Sequence, residues 1–352
     1  ASPVDVDNDG DLDIFLCGAG VDPCLIYIND NGSFTEHETI IPGLYNSSCT
    51  WGDFDNDGDP DLAIMGQAND SPLTNIYQNI YNDNGSDDWF MLYQGLTGRE
   101  SGDIQWIDFD NDGDLDLSVT GNKENYVTST SLLVNEGGIF SVGYEDFPQL
   151  GRSALSWGDY DNDGDPDFVL QGINMQGAVT KIFRNDRNTP NEPPSVPGNL
   201  NATIEGNMIN LSWDASEDDL TPQNSLRYNV RMGFSAGVYE VLCPLSSDHF
   251  LKTTEFTNAG YLTQLKVMKP SPGTYYWSVQ AVDEGLAASD FSVEESISTT
   301  GLGYNQNEYL QVYPNPLTGD VLNIRNIGAG DIEIIITEVS GKTIWTEMIQ
   351  NP

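Results

Sequence analysis

Apolar and polar positions along the first half of the chain alternate in short runs, and the runs recur. Four have one form: Leu12-Asp13-Ile14-Phe15-Leu16, Leu62-Ala63-Ile64-Met65, Leu115-Asp116-Leu117-Ser118-Val119 and Phe168-Val169-Leu170, each running on to a glycine (Gly18, Gly66, Gly121, Gly172). A second run follows each at a similar offset: Leu25–Asn29, Asn75–Asn79, Ser131–Asn135 and Lys181–Asn185. Short runs of this length bounded by Gly and Asn predict β-strands. No stretch of this half has the 3.6-residue apolar period of a helix. The prediction is an all-β chain.

Each first run is preceded by the same acidic stretch. It reads DVDNDGDLD at Asp5–Asp13, DFDNDGDPD at Asp53–Asp61, DFDNDGDLD at Asp108–Asp116 and DYDNDGDPD at Asp159–Asp167. The starting points are 48, 55 and 51 residues apart. Three of the stretches follow a Trp: Trp51-Gly52, Trp106-Ile107 and Trp157-Gly158. A repeat of this size reads as one propeller blade of about four strands. The strand expected before Asp5 and a last strand after Lys181–Asn185 are missing, which predicts two incomplete blades. The chain opens inside a repeat, so its natural N-terminus is expected upstream.

Within each stretch, carboxylates stand at positions 1, 3, 5, 7 and 9 and Gly at position 6. The candidate metal ligands are therefore Asp5, Asp7, Asp9, Asp11 and Asp13; Asp53, Asp55, Asp57, Asp59 and Asp61; Asp108, Asp110, Asp112, Asp114 and Asp116; and Asp159, Asp161, Asp163, Asp165 and Asp167. Calcium takes six to eight oxygens, and magnesium prefers to keep its water. The glycines let the backbone turn at positive φ. Position 7 is expected to offer its backbone carbonyl with the side chain outward, and position 9 to close the site with both oxygens. An EF-hand would need an acid at position 12, where Leu16, Ile64, Val119 and Leu170 stand. The competing reading is a solvated acidic turn. Five like charges in nine residues, four times over, argue against it and predict about four structural calcium ions, one per loop.

Composition agrees. The chain has 352 residues, enough for two or three domains, and carries 55 acidic against 13 basic residues, a net charge of −42. That charge repels nucleic acid and anionic membrane surfaces, so neither is an expected partner. No apolar run is long enough to span a membrane. The four cysteines, Cys17, Cys24, Cys49 and Cys243, have no zinc-type spacing. Cys17 and Cys24 flank a turn; a disulfide and a pair of free thiols are equally open.

Beyond a Pro-rich linker at 188–198 the acidic loop does not return. Residues 199–300 hold alternating strands, Asn210–Trp213, Tyr228–Met232 and Tyr275–Val282, around a buried Trp, as in a β-sandwich. Residues 308–352 add the turn Pro314-Asn315-Pro316 and strands at Tyr309–Val312, Val321–Ile324, Ile332–Thr337 and Thr343–Met348, too few for a fold of their own.

Three resemblances extend this reading. Residues 1–187, with their Asp loops, closely resemble FG-GAP-like (VCBS-type) repeats of integrin-α-type propellers, which implies four blades of a seven- or eight-bladed ring. Residues 199–300 look like a fibronectin type III domain, through Trp213 and Tyr275-x-Trp277-x-Val279-x-Ala281; Tyr275 would take the tyrosine-corner place. Residues Val312–Gly319 and Ile335–Lys342 resemble the start of a type A sorting domain of the type IX secretion system of Bacteroidota, whose last part is absent. That implies export by the secretion machinery and a secreted or cell-surface location. The expected architecture is thus a partial β-propeller, a β-sandwich and an incomplete C-terminal β-sandwich.

No catalytic constellation stands out, and none is expected. The predicted role is a non-catalytic adhesion scaffold binding a glycan or protein, with Trp89 or Tyr126 as candidate sugar-stacking rings. The alternative is an accessory part of a larger polysaccharide-degrading enzyme. Such chemistry needs cations, and His37, Arg99 and Arg152 meeting in one pocket would favour it.

Overall fold

The computed structural model describes residues 1–18, 21–30, 32–81, 89–161, 163–186, 191–206, 208–244, 257–268 and 272–299, and the backbone of four strand segments beyond them. Among the described residues it is all-β, with only two single 3-10 turns, at Glu124–Tyr126 and Gln223–Ser225. No helix of the described residues is long and apolar enough to cross a membrane.

The first half forms antiparallel sheets in chain order. Strands β1 (Ser2–Val4), β2 (Asp13–Gly18), β3 (Val21–Asp30) and β4 (Ser33–Glu38) make one sheet. Strands β5 (Tyr45–Gly52), β6 (Asp61–Ala68), β7 (Ser71–Asn79), β8 (Phe90–Ile107), β9 (Asp116–Asn122), β10 (Thr128–Glu136) and β11 (Ile139–Tyr144) make a second, of seven strands. It spans two repeats because β8 is 18 residues long: Phe90–Arg99 pairs with β7 and Glu100–Ile107 with β9. Strands β12 (Gly151–Gly158), β13 (Asp167–Asn174) and β14 (Gly177–Phe183) make a third. The strand missing before Asp5 in the sequence pattern is present as the three-residue β1. The fourth repeat has no fourth strand among the described residues.

Period-two alternation buries both faces of the inner strands. In β6, Leu62 and Ile64 pack back against Phe15 and Trp51, while Ala63 and Met65 pack forward with Ile104 and Trp106 of the next repeat. The Trp before each of the last three Asp loops is the inter-repeat wedge. Trp51 meets Phe15 edge-on at 5.5 Å, and Trp157 donates Nε1–H to Ser118 Oγ at 3.0 Å. On the last repeat the forward face is open: Val169 is 37% exposed, where the matching Ala63 and Ser118 are buried.

The recurrent glycines have a local cause. The opposing first strand bulges at Tyr45/Ser48, Glu100/Asp103 and Gly151/Ala154, with Asn46, Ser101 and Arg152 at positive φ. A Cβ on Gly66 or Gly121 would stand 2.9 Å from the Tyr45 carbonyl oxygen or 2.6 Å from that of Glu100.

In the second half, β15 (Gly198–Glu205), β16 (Met208–Asp214) and β18 (Gln264–Met268) pair, as do β17 (Arg227–Gly233), β19 (Gly273–Val282) and β20 (Glu295–Thr299). The two sheets share one core around Trp213, Tyr228, Tyr275 and Trp277. The hydroxyl of Tyr228 accepts the Ser216 N–H at 2.9 Å. Two further pairs, β21 (Leu310–Tyr313) with β22 (Asn323–Asn326) and β23 (Ile332–Thr337) with β24 (Thr343–Ile349), end the chain. The turn Pro314-Asn315-Pro316 and residues 338–342 lie outside the described residues.

The second module sits on the Asp-loop side of the repeats. The Tyr261 hydroxyl accepts the Asp53 N–H at 3.1 Å, and Asn224 Nδ2 donates to the Asn56 carbonyl at 2.6 Å. Val282, Leu286 and Ala288 join the core formed by Ile107, Phe109 and Trp157. Cys17 and Cys24 are joined in a disulfide between β2 and β3.

Candidate metal centre

The Asp loops link the first two strands of each repeat, and one hydrogen-bond plan shapes all of them. The position 1 carboxylate turns inward and accepts the N–H groups of positions 5 and 6: Asp5 from Asp9 and Gly10, Asp53 from Asp57 and Gly58, Asp108 from Asp112 and Gly113, and Asp159 from Asp163 and Gly164, at 2.9 to 3.2 Å. Position 5 accepts the N–H of position 7, as Asp9 does from Asp11 at 2.8 Å. Gly10, Gly58, Gly113 and Gly164 take φ near +90°, where a side chain would strain the turn.

Position 9 clamps the loop to the sheet. Asp13, Asp61, Asp116 and Asp167 each accept, through Oδ1, the N–H of the Asn ending or following the next strand: Asn29, Asn79, Asn135 and Asn185, at 2.7 to 2.8 Å. Through Oδ2, Asp13, Asp61 and Asp167 also accept the position 2 N–H. These oxygens, expected to close an ion site as a pair, thus also hold backbone.

The plan gathers carboxylate oxygens. One oxygen each from Asp5, Asp7 and Asp13 lies within 4.8 Å of the others, and so for Asp53, Asp55 and Asp57, for Asp108, Asp110 and Asp116, and for Asp159, Asp161 and Asp167. The buried Oδ1 of Asp7 and Oδ2 of Asp116 have no hydrogen-bond donor. An all-oxygen set with buried, donor-less carboxylate oxygens fits a hard divalent cation such as calcium. Asp9, Asp61, Asp112 and Asp163 are not in these groups, nor are the position 7 residues Asp11, Asp59, Asp114 and Asp165.

Without a cation the clustered charges are costly. Burial pushes Asp5 and Asp108 up to about 7, Asp53 to about 8 and Asp116 to about 9. Neighbouring carboxylates of the same loop add to each shift. Asp61 is raised well above the usual range, by burial and then by Asp55. The fourth loop has a cation of its own: Arg184 meets Asp161 at 2.8 Å, Asp163 at 2.9 Å and Asp186 at 2.6 Å.

Side chains that sequence reasoning passed over tie one loop to the next. Asn56, at position 4 of the second loop, donates to Asp114 at position 7 of the third at 2.8 Å. Asn111 does the same for Asp165 of the fourth at 3.1 Å, and Asn8 reaches the Gly58 carbonyl at 3.0 Å. The strand-end Asn residues make a second row. Asn79, Asn135 and Asn185 donate Nδ2–H to the position 2 carbonyls of the preceding loop, at Val6, Phe54 and Phe109. The signal was visible as an Asn at the end of every second run.

The residues proposed for carbohydrate or catalysis do not converge. Trp89 is buried and stacked on Tyr81 at 3.8 Å, with His37 alongside, so it offers no stacking face; Tyr126 is 82% exposed. Arg99 is buried, bonding Ser129, Ser131 and the Thr97 carbonyl. Arg152 lines a separate shallow cleft with Asn122, Thr128 and Ile173.

The family model of the FG-GAP-like repeat matches residues 5–64 and 108–170, and each stretch holds two of the four Asp loops with the strands between them. Comparison with curated proteins finds no match.

Proposed function

We propose that this chain is a calcium-stabilised extracellular binding scaffold. The observation that carries the reading is the repeated loop, with one hydrogen-bond plan and a trio of carboxylates in each copy. The match to FG-GAP-like repeats, typical of extracellular proteins, supports it. The Cys17–Cys24 disulfide suits an oxidising compartment. The four repeats are read as consecutive blades of a propeller, stacked by their Trp wedges, and 199–300 as a fibronectin type III-like sandwich. Calcium has a structural role: it replaces the proton or counter-charge that each loop otherwise needs. Its ligands are drawn from positions 1, 3, 5 and 9 and the position 7 carbonyl. The tail at 308–352 is read as the start of a type IX sorting domain, and removing it should abolish export in a host carrying that machinery. The scaffold is non-catalytic; the separation of His37, Arg99 and Arg152 favours this over a lyase-like part.

Calorimetric titration of calcium into chelator-treated protein, with melting followed in parallel, tests the core of this reading. Tight uptake of several ions with a large rise in melting temperature is the expected result. No uptake and unchanged melting would reduce the loops to acidic turns.

A further inference from the structure

The four Asp loops are alike in themselves but not in what covers them. The second loop lies under two segments of the second module. Asn224 Nδ2, from the 3-10 turn before β17, donates to the Asn56 carbonyl at 2.6 Å. A Cβ on Gly58 would stand 3.3 Å from Asn224 Cβ. The Tyr261 hydroxyl, from the segment before β18, accepts the Asp53 N–H at 3.1 Å. The third loop meets the same module: a Cβ on Gly113 would stand 2.4 Å from the Leu220 carbonyl oxygen, and one on Gly285 would stand 2.8 Å from Asn111 Oδ1. The outer loops are bare by comparison. A Cβ on Gly10 of the first loop would find only Leu262 Cδ1, at 3.8 Å, and one on Gly164 of the fourth would find nothing within 4 Å. Burial follows the same division: Asp53 and Asp108 are buried, while Asp5 and Asp159 are half-buried.

The groups that the second module touches are the ones that the loop carboxylates hold in place. Asp53 gives a carboxylate oxygen to the trio with Asp55 and Asp57 and accepts the N–H groups of Asp57 and Gly58, while its own N–H goes to Tyr261. Asp108 stands in the trio with Asp110 and Asp116 and holds the N–H of Gly113, against which the Leu220 carbonyl lies. Without an ion the carboxylates of each trio repel across a short turn. A turn that relaxes under that repulsion carries the backbone at positions 1, 4 and 6 away from its partners in the second module. The apolar part of the seam differs: Val282, Leu286 and Ala288 pack with Ile107 and Trp157, which belong to strands and not to the loops.

We infer that the second and third Asp loops form a calcium-dependent platform for the second module: an ion in either loop fixes how the two modules sit together, and ions in the first and fourth loops do not. The inference rests on the calcium reading of the loops. Linkage makes the effect reciprocal, so the seated module tightens calcium at the two middle loops and leaves the outer two unchanged.

Amide hydrogen exchange on the full chain, with calcium ions counted by native mass spectrometry, tests it. In wild type, chelator should raise exchange roughly tenfold in the peptides around Asn224 and Tyr261 while β16 and β19 stay protected. In calcium, Asp55→Asn and Asp110→Asn should each lose one ion and show the same local rise. The first-loop variant Asp7→Asn should lose one ion and show none. Unchanged exchange in Asp55→Asn and Asp110→Asn despite the lost ion, or an equal rise in all three variants, overturns the inference and leaves the calcium reading standing. A wild-type chain that takes up no ion overturns both. Should chelator unfold the repeats as a whole, the three variants in calcium decide alone.

Discussion

Asn79, Asn135 and Asn185 each do three jobs with one side chain or its backbone. The backbone N–H binds the position 9 Asp, and the carboxamide holds both its own loop and the one before. Asn79 donates to Val6 O at 2.8 Å and Pro60 O at 3.3 Å, and its Oδ1 accepts the Tyr81 N–H at 3.2 Å. Asn79→Ala leaves buried carbonyls unsatisfied and is expected to cost about 2–3 kcal/mol in urea unfolding. The loop carboxylates set the pH response. With their folded pKa values raised, stability in chelator is fully present below about 4, the unfolded value, and is lost as pH rises through about 7 to 9. Melting temperature in chelator should therefore fall between pH 5 and 8. A bound cation depresses the same pKa values, so in saturating calcium the trend should reverse, which scanning calorimetry across pH would reveal.

At the scale of elements, the bulge and its glycine act as one unit. The extra residue in β8 at Ser101 turns the strand so that Glu100 faces Gly121, at φ +148°. Gly121→Ala drives a Cβ to 2.6 Å from a backbone oxygen that cannot step aside. The expected loss is roughly 2–3 kcal/mol, from strain and overpacking together. Gly137→Ala is the control: its φ is also positive, at +60°, but it has open space around it, so the smaller loss expected there isolates the clash.

The whole molecule is held by the seating of the second module on the loops. At that seam the Arg227–Glu284 pair is almost completely buried. Arg227→Met leaves the Glu284 charge without its partner and should destabilise by about 3–5 kcal/mol. Adding Glu284→Gln should recover much of that, since the buried charge goes with it. Recovery in chemical unfolding separates an electrostatic loss from a packing one.

The period-two runs, the Gly and Asn that bound them and the fourfold Asp stretch determined, without any structure, the strands, their order and the clustering of carboxylates. These are local: a strand's alternation and a loop's turn residues lie within a few positions of each other. The cleavage of roles inside the loop was not legible, because every position carries the same Asp. Only the folded backbone shows that positions 1 and 9 hold N–H groups and that Asp114 and Asp165 serve a neighbouring loop. Trp89 was equally opaque, as a ring reads the same whether it faces solvent or stacks on Tyr81. The pairing of Arg227 with Glu284, and of Tyr261 with Asp53, joins residues 57 and 208 positions apart. Contacts across such separations leave no period in the chain, so the tertiary structure alone decides them.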